Sequence, residues 1–139
     1  MDEQKLRITI YGLGYVGLPT AIEFHKSGYS VVGVDVSEKI VKGLKRGESH
    51  LSDSTAELEI PLNSKNWEVT TLVNENTSDV IIITVPTPVN DDRSPNLSFV
   101  ESAMRSAITS IDSKIIPIIV LESTVFPGAT RSIAKKICE

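Results

Sequence analysis

Apolar residues at the start of the chain change from a strand period to a helix period and back. The predicted elements are a strand over 6–11, a helix over 15–27 and a strand over 30–34. Gly12 stops the first strand, and Gly28 follows the helix as a helix-ending glycine. The helix is predicted from the spacing of Val16, Ala21 and Phe24. The first 35 residues are therefore predicted to form one βαβ unit.

A second helix is predicted to begin after Ser37, a typical N-cap residue, and to end near Arg46. Its predicted inner face consists of Ile40, Val41 and Leu44. Residues 48–66 have mixed polarity and no clear period, so we predict a loop there with one short helix near 55–58.

The second half of the chain continues to alternate strand and helix patterns. The predicted elements are strands over 67–71 and 79–84, a helix over 97–111, a strand over 114–121 and a helix over 128–137. The longest apolar stretches, 80–85 and 115–121, predict buried strands. Strands that alternate with helices favour a parallel sheet with right-handed crossovers, so the predicted fold class is α/β with a doubly wound parallel sheet. The pattern stops before a sixth strand, and we expect residues 1–139 to be one domain truncated at that point.

The turn after the first predicted strand reads Gly12-Leu13-Gly14-Tyr15-Val16-Gly17 and fits the pattern G-x-G-x-x-G. In dinucleotide-binding turns the first glycine allows a tight turn, the second lets the backbone approach the pyrophosphate, and the third allows close packing of helix on strand. A purely structural turn is the alternative. Asp35 ends the second strand 23 residues after Gly12, close to the spacing at which a carboxylate reaches the adenosine ribose. Together these features predict a Rossmann-type, dinucleotide-binding domain.

The residues around Asp35 favour NAD over NADP. A carboxylate there would repel the additional phosphate of NADP, and the following Val36-Ser37-Glu38 supplies no arginine to receive it. The alternative role for Asp35 is a negative charge that favours the dipole of the following helix. Cofactor-binding candidates in this region are Gly12, Gly14, Tyr15, Val16, Gly17 and Asp35.

Two polar segments follow the fourth and fifth predicted strands, at the sheet edge where open α/β sheets bind ligands. Val85-Pro86-Thr87-Pro88 presents Thr87 in a rigid turn, although the prolines could simply terminate a buried strand. Glu122, Ser123 and Thr124 place three polar side chains after the fifth strand. The alternative is that Ser123 or Thr124 caps the last helix.

Four segments in order, YGLGYVGLP, VVGVD, VIIITVPTP and LESTVFPGAT, resemble the amino-terminal domain of the UDP-glucose/GDP-mannose dehydrogenase family over nearly the whole chain. Other Rossmann dehydrogenases share the glycine turn but not the later two segments. Leu18-Pro19 and Pro127-Gly128 look closest to the UDP-N-acetylmannosamine and related N-acetylhexosamine branch.

The resemblance implies a four-electron oxidation of a sugar primary alcohol to a carboxylate, with two NAD in succession and a cysteine thioester. It implies that Val16, Asp35, Thr87 and Thr124 contact NAD, that Thr124 helps to place a catalytic water, and that Glu122 lies near the nicotinamide. Relatives often carry a basic residue five positions after the acidic one, but Ile40 stands there and Lys39 is the neighbouring candidate. The nucleophilic cysteine of the family lies in a G-G-S-C segment that this chain does not contain.

Composition and charge narrow the classes of protein to which the chain can belong. The formal net charge of -4 disfavours nucleic acid as a partner, and apolar runs shorter than the roughly 20 residues of a membrane helix disfavour a membrane protein. No signal peptide precedes the first strand, so we expect a cytoplasmic protein. Cys138 is expected to be either a small apolar residue or incidental at the end of a fragment. His25 and His50 are expected to face solvent, and no metal site is predicted.

Two functions remain open at this point. The first is the cofactor domain of a nucleotide-sugar 6-dehydrogenase whose substrate is held mainly by another domain and whose full-length form is a homodimer or higher homo-oligomer. The second is a stand-alone module that senses NAD without catalysis. A downstream G-G-S-C segment would distinguish the enzyme from the module.

Overall fold

The computed structural model of the protein describes residues 5–51 and 58–139. The five strands that these residues form make one parallel sheet in the order β3-β2-β1-β4-β5, which confirms the predicted doubly wound α/β class. The elements in chain order are β1 (Arg7–Tyr11), α1 (Gly17–Lys26), β2 (Ser30–Val34), α2 (Glu38–Lys45), β3 (Trp67–Thr70), β4 (Val80–Ile83), α3 (Ser98–Ser110), β5 (Ile118–Leu121) and α4 (Ala129–Cys138).

Each face of the sheet is covered by two helices. Successive side chains of a strand point to opposite faces, so neighbouring strand residues enter different cores. Ile82 packs in the core formed with α1 and α2, whereas Ile81 and Ile83 pack in the core formed with α3 and α4. The predicted inner face of α2 is confirmed, with Val41 and Leu44 buried and Ile40 half-buried against the same core. In α3 the residues Val100, Met104 and Ala107 are buried.

Helix α1 begins at Gly17, two residues later than predicted. Its buried residues are Gly17, Leu18, Ala21 and Ile22. Val16 does not belong to this inner face, because it is the N-cap residue and its exposed fraction is 58%. Helical spacing alone cannot distinguish a residue of the first turn from one that still lies in the preceding glycine turn.

Strand β5 is shorter and more exposed than its apolar run predicted. Ile118 is 66% exposed, the other three residues are only half-buried, and Ile116 just before the strand is exposed. The prediction of a buried strand is therefore wrong for this segment. β5 pairs only with β4 and forms an edge of the sheet in the described chain. The corresponding run in β4 is buried because β4 lies between two strands.

Two single residues also differ from expectation. His25 is half-buried rather than solvent-facing, because its Nε2 lies 2.7 Å from the Ser64 Oγ and its ring packs edge-on against Trp67. Cys138 is exposed at the end of α4 and not buried as a small apolar residue would be. His50 is exposed, as predicted.

The short helix predicted near 55–58 falls almost entirely outside the described residues, and 58–66 is irregular. Among the described residues, no helix has the length and apolar character needed to cross a bilayer. Across those two ranges, no cluster of three or more histidine, cysteine, aspartate or glutamate side chains is arranged to hold a metal ion.

Candidate functional site

The carboxyl ends of the strands share one edge of the sheet, because all pairs are parallel. From β1 the chain crosses to β2 on one side, and β4 pairs with β1 on the other side. The strand order therefore reverses between β1 and β4, and in open α/β sheets ligands bind in the crevice at this point. Gly12 follows β1 and Thr84 follows β4, so both lie at this crevice.

The first and third glycines of the turn are required by packing. Gly12 has a φ of 93°, a conformation that favours glycine, and its N–H donates to the Val34 carbonyl at 2.7 Å. A Cβ on Gly12 would lie 2.9 Å from the Thr84 carbonyl oxygen. A Cβ on Gly17 would overlap the Gly12 carbonyl oxygen and lie 2.5 Å from the Thr84 Oγ1. Gly17 thus lets α1 approach the end of β1 closely.

The second glycine has a different environment. A Cβ on Gly14 would meet no atom within 4 Å, so the space beside it is open. Tyr15 and Val16 are exposed, and no side chain caps the N-terminus of α1. Within the described chain, the N–H groups of these three residues have no hydrogen-bond acceptor. Free amides at a helix N-terminus beside an open glycine form a site suited to a phosphate group.

Asp35 contacts both the glycine turn and the start of α2. Its Oδ2 accepts from the Leu13 N–H at 2.9 Å, and its Oδ1 accepts from the Ser37 N–H at 2.9 Å. A carboxylate has about four acceptor positions, so two backbone donors leave capacity for ribose hydroxyls. Ser37 is the predicted N-cap of α2 and accepts from the Ile40 N–H. Asp35 can therefore place its negative charge at the start of α2, the alternative role suggested by the sequence, and still bind a ligand.

The segments after β4 and β5 are connected to each other. The Ser123 hydroxyl donates to the Val85 carbonyl at 2.7 Å, and the Glu122 N–H donates to the Ile83 carbonyl at 2.9 Å. Thr87 is half-buried, whereas Glu122 and Thr124 are exposed. The alternative that Ser123 or Thr124 caps the last helix is wrong, because α4 begins after Gly128 and has no side-chain cap.

The loop after Thr87 closes on itself. Asn96 N–H donates to the Pro88 carbonyl at 2.8 Å, and residues 89 and 95 form an isolated antiparallel bridge. Inside the loop, the hydroxyl and the backbone N–H of Ser94 both donate to the Asp92 carboxylate. These hydrogen bonds, the hydroxyl contributing more, lower the pKa of the Asp92 carboxyl group. Thr87 therefore lies at the base of a closed loop next to the end of β4.

Residues 6–139 match the protein-family model described as the UDP-glucose/GDP-mannose dehydrogenase family, NAD binding domain. This chain belongs to that family. The resemblance inferred from the four sequence segments is therefore confirmed, and so is the prediction of NAD as the cofactor.

The most similar members include two archaeal UDP-N-acetyl-D-mannosamine dehydrogenases. The protein from Pyrococcus horikoshii is 38% identical over 133 residues, which cover 94% of this chain and 31% of that protein. The protein from Methanococcus vannielii is 40% identical over 139 residues, with 95% and 32% covered. The solved structure of the Pyrococcus horikoshii UDP-D-ManNAc dehydrogenase superimposes with a TM-score of 0.81 at 37% identity, over 95% of this chain and 32% of that one. This chain thus spans about a third of the length of these relatives.

For a member of the UDP-glucose/GDP-mannose dehydrogenase family, the structure adds one residue that the sequence interpretation missed. The Thr84 Oγ1 lies 2.7 Å from the Gly12 carbonyl oxygen and 3.1 Å from the Tyr11 carbonyl oxygen. The only sequence signal is a hydroxyl residue that ends the apolar run just before Val85. Its partners lie 72 and 73 positions away, so the local pattern could not identify them.

Ile40, five positions after Asp35, is half-buried against the core under α1 and α2. Lys39 is exposed on the first turn of α2. The side chain of Lys39 is therefore accessible near the Asp35 end of the sheet, whereas Ile40 contributes to packing.

Proposed function

We propose that the protein containing this chain is a nucleotide-sugar 6-dehydrogenase, which oxidises the C6 alcohol of the sugar to a carboxylate with two NAD. The observation that carries the proposal is the family match over residues 6–139 together with the open site at Gly14. Relatives named UDP-N-acetyl-D-mannosamine dehydrogenases make UDP-N-acetylmannosamine the first substrate to test. The stand-alone sensing module is not favoured, because the similar proteins are dehydrogenases.

In this proposal, residues 1–139 are the dinucleotide-binding domain and a further domain holds most of the sugar nucleotide. The amides at Gly14, Tyr15 and Val16 bind the pyrophosphate, while Gly12 and Gly17 shape the turn. Asp35 accepts the hydroxyls of the adenosine ribose, and its charge disfavours NADP. Bound NAD supplies the hydride acceptor for both oxidation steps.

The residues at the ends of β4 and β5 are proposed to surround the nicotinamide. Thr87 contacts the cofactor, Glu122 lies close to the ring, and Thr124 both contacts NAD and orients a water molecule. The proposal is supported by the hydrogen bond from Ser123 to Val85, which ties the two segments together. It is also supported by the exposed side chains of Glu122 and Thr124 at the strand ends. We further propose that the full protein is a cytoplasmic homodimer or higher homo-oligomer.

The direct test is an NADH absorbance assay. The protein assayed is the full-length gene product, in which residues 1–139 are followed by the further domain. We expect two NADH per sugar with UDP-N-acetylmannosamine, and slower turnover with UDP-N-acetylglucosamine or UDP-glucose. If the full-length protein binds NAD but oxidises none of these three nucleotide sugars and not GDP-mannose, the proposed dehydrogenase activity is contradicted. That result would support the stand-alone sensing module.

The 139-residue chain alone is expected to bind NAD weakly and to give no turnover. Hydride transfer requires the alcohol to be held near the nicotinamide, and such positioning supplies roughly 7–11 kcal/mol of barrier reduction. Acid formation further requires a nucleophilic thiolate, and Cys138, the only cysteine of the chain, is exposed at the end of α4 and does not stand in a G-G-S-C segment. The same NADH assay measures this, with Cys138→Ser as the control. Turnover by the short chain above that control would place catalytic machinery within it.

Replacement of Asp35 by alanine is expected to weaken NAD binding by about 1–3 kcal/mol, because charge-assisted hydrogen bonds to the ribose are lost. Discrimination against NADP should decrease in the same variant. Calorimetric titration with both cofactors measures the two effects. Asp79→Ala is the matched control, since Asp79 also accepts from a backbone N–H, that of Arg7, but at the opposite edge of the sheet. Equal affinities in Asp35→Ala and the parent would remove Asp35 from the site.

A further inference from the structure

One peptide unit of the glycine turn is held at both of its polar ends. The Gly12 carbonyl accepts from the Thr84 hydroxyl at 2.7 Å, and the Leu13 N–H of the same unit donates to the Asp35 carboxylate at 2.9 Å. The two side chains come from opposite sides of β1, because β4 and β2 are its two neighbours in the sheet. The orientation of the Gly12–Leu13 peptide plane is therefore determined by residues outside the glycine motif.

Thr84 is held firmly enough to act as such a support. Its backbone N–H donates to the Tyr11 carbonyl at 2.8 Å, which continues the pairing of β4 with β1. Its hydroxyl proton is shared between the carbonyls of Tyr11 and Gly12, and the shorter distance is to Gly12. A Cβ on Gly17 would come within 2.5 Å of this hydroxyl, so the first residue of α1 packs directly against it.

We propose that Thr84 is a positioning residue for the pyrophosphate of NAD. It fixes the Gly12 carbonyl towards β4, and the turn that follows then presents the amides of Gly14 and Tyr15 to the open space. Gly12 has a positive φ and, as a glycine, few steric limits on its backbone angles, so its own conformation does not fix the direction of its carbonyl. Without the hydroxyl, the free turn samples more orientations, and binding must then restrict them at a cost in affinity. The inference rests on the proposed pyrophosphate site at Gly14.

The test compares Thr84→Val, which replaces the hydroxyl with a methyl group, with Thr84→Ser, which keeps the hydroxyl. Three probes are titrated by NMR: NAD, ADP-ribose and adenosine. Thr84→Val should weaken NAD and ADP-ribose by about 3- to 10-fold, the change expected for one hydrogen bond. Adenosine, which has no phosphate, should bind unchanged, and Thr84→Ser should resemble the parent with all three probes.

Thr9→Val is the matched control, because it removes another buried hydroxyl, which bonds to Ser78 at 2.7 Å away from the turn. It should lower stability without changing the ratio of NAD to adenosine affinity. An equal loss for adenosine and NAD in Thr84→Val, or no loss beyond the Thr9→Val control, would overturn the inference. If Thr84→Val does not fold, Thr84→Ala replaces it, and failure of both to fold would make the hydroxyl a folding requirement and also overturn the inference. Gly14→Val tests the site itself: if it leaves NAD binding intact, the proposed pyrophosphate site is wrong whatever Thr84 does.

Discussion

Replacement of Gly14 by valine is expected to abolish detectable NAD binding while the domain keeps its fold. A Cβ at this position meets no atom within 4 Å, and Gly14 does not have the positive φ that Gly12 requires. The side chain therefore costs the folded chain little, but it occupies the space that the pyrophosphate needs. Several hydrogen bonds to a charged group are lost together, at about 1.5–3 kcal/mol each.

The measurement is an NAD titration by calorimetry beside a thermal melt followed by circular dichroism. The melting temperature of Gly14→Val should stay close to that of the parent. Adenosine is a useful second ligand, because it does not require the pyrophosphate space and should still bind. NAD affinity equal to that of the parent would mean that this glycine turn is only structural.

Replacement of Gly17 by alanine is expected to have the opposite outcome, with loss of stability as the primary effect. The added methyl would overlap the Gly12 carbonyl oxygen and approach the Thr84 Oγ1 at 2.5 Å. Both are held by the sheet, so α1 must move away from β1 and its contacts with the core are disturbed. Overpacking of this kind costs roughly 1–3 kcal/mol, and backbone atoms as the neighbours favour the upper end.

Urea denaturation of the Gly17→Ala chain measures the change in the free energy of unfolding. Gly14→Ala is the matched control, since the same methyl is added three residues earlier in the same motif, where space is open. We expect Gly14→Ala to unfold at nearly the same urea concentration as the parent. If the two variants lose the same stability, the distinction between a packed and an open glycine is wrong.

The expected results for Gly14→Val and Gly17→Ala assign different roles to two glycines of one motif, binding to Gly14 and folding to Gly17. Its spacing predicts three roles, but the packing around each glycine identifies which role a substitution will disturb. Gly12 and Gly17 contact the end of β4 through Thr84, whereas Gly14 faces open space. Thr84→Val is expected to weaken NAD binding less than Gly14→Val does, because it removes one hydrogen bond to the turn and leaves the space beside Gly14 open.

Most elements of the fold were predictable because their signals are local. The strand at Ser30–Val34 was predicted with both ends correct, and Ser37 caps α2 as expected for its residue type. Strand and helix periods, helix caps and turn glycines depend on neighbours within a few positions, which the sequence contains directly. Burial of β5 was wrong because burial depends on which strands lie beside a segment, and an apolar run does not contain that information.

The sequence by itself determined the alternation of strands and helices, the glycine turn after the first strand and Asp35 at the end of the second, since each is a pattern of near neighbours. The tertiary structure decided which strand ends meet. The contacts of Thr84 with Gly12, of Asp35 with Leu13 and of Ser123 with Val85 join residues 72, 22 and 38 positions apart. These pairs come together only because the sheet has the order β3-β2-β1-β4-β5, and that order results from the packing of helices on both faces rather than from any local period.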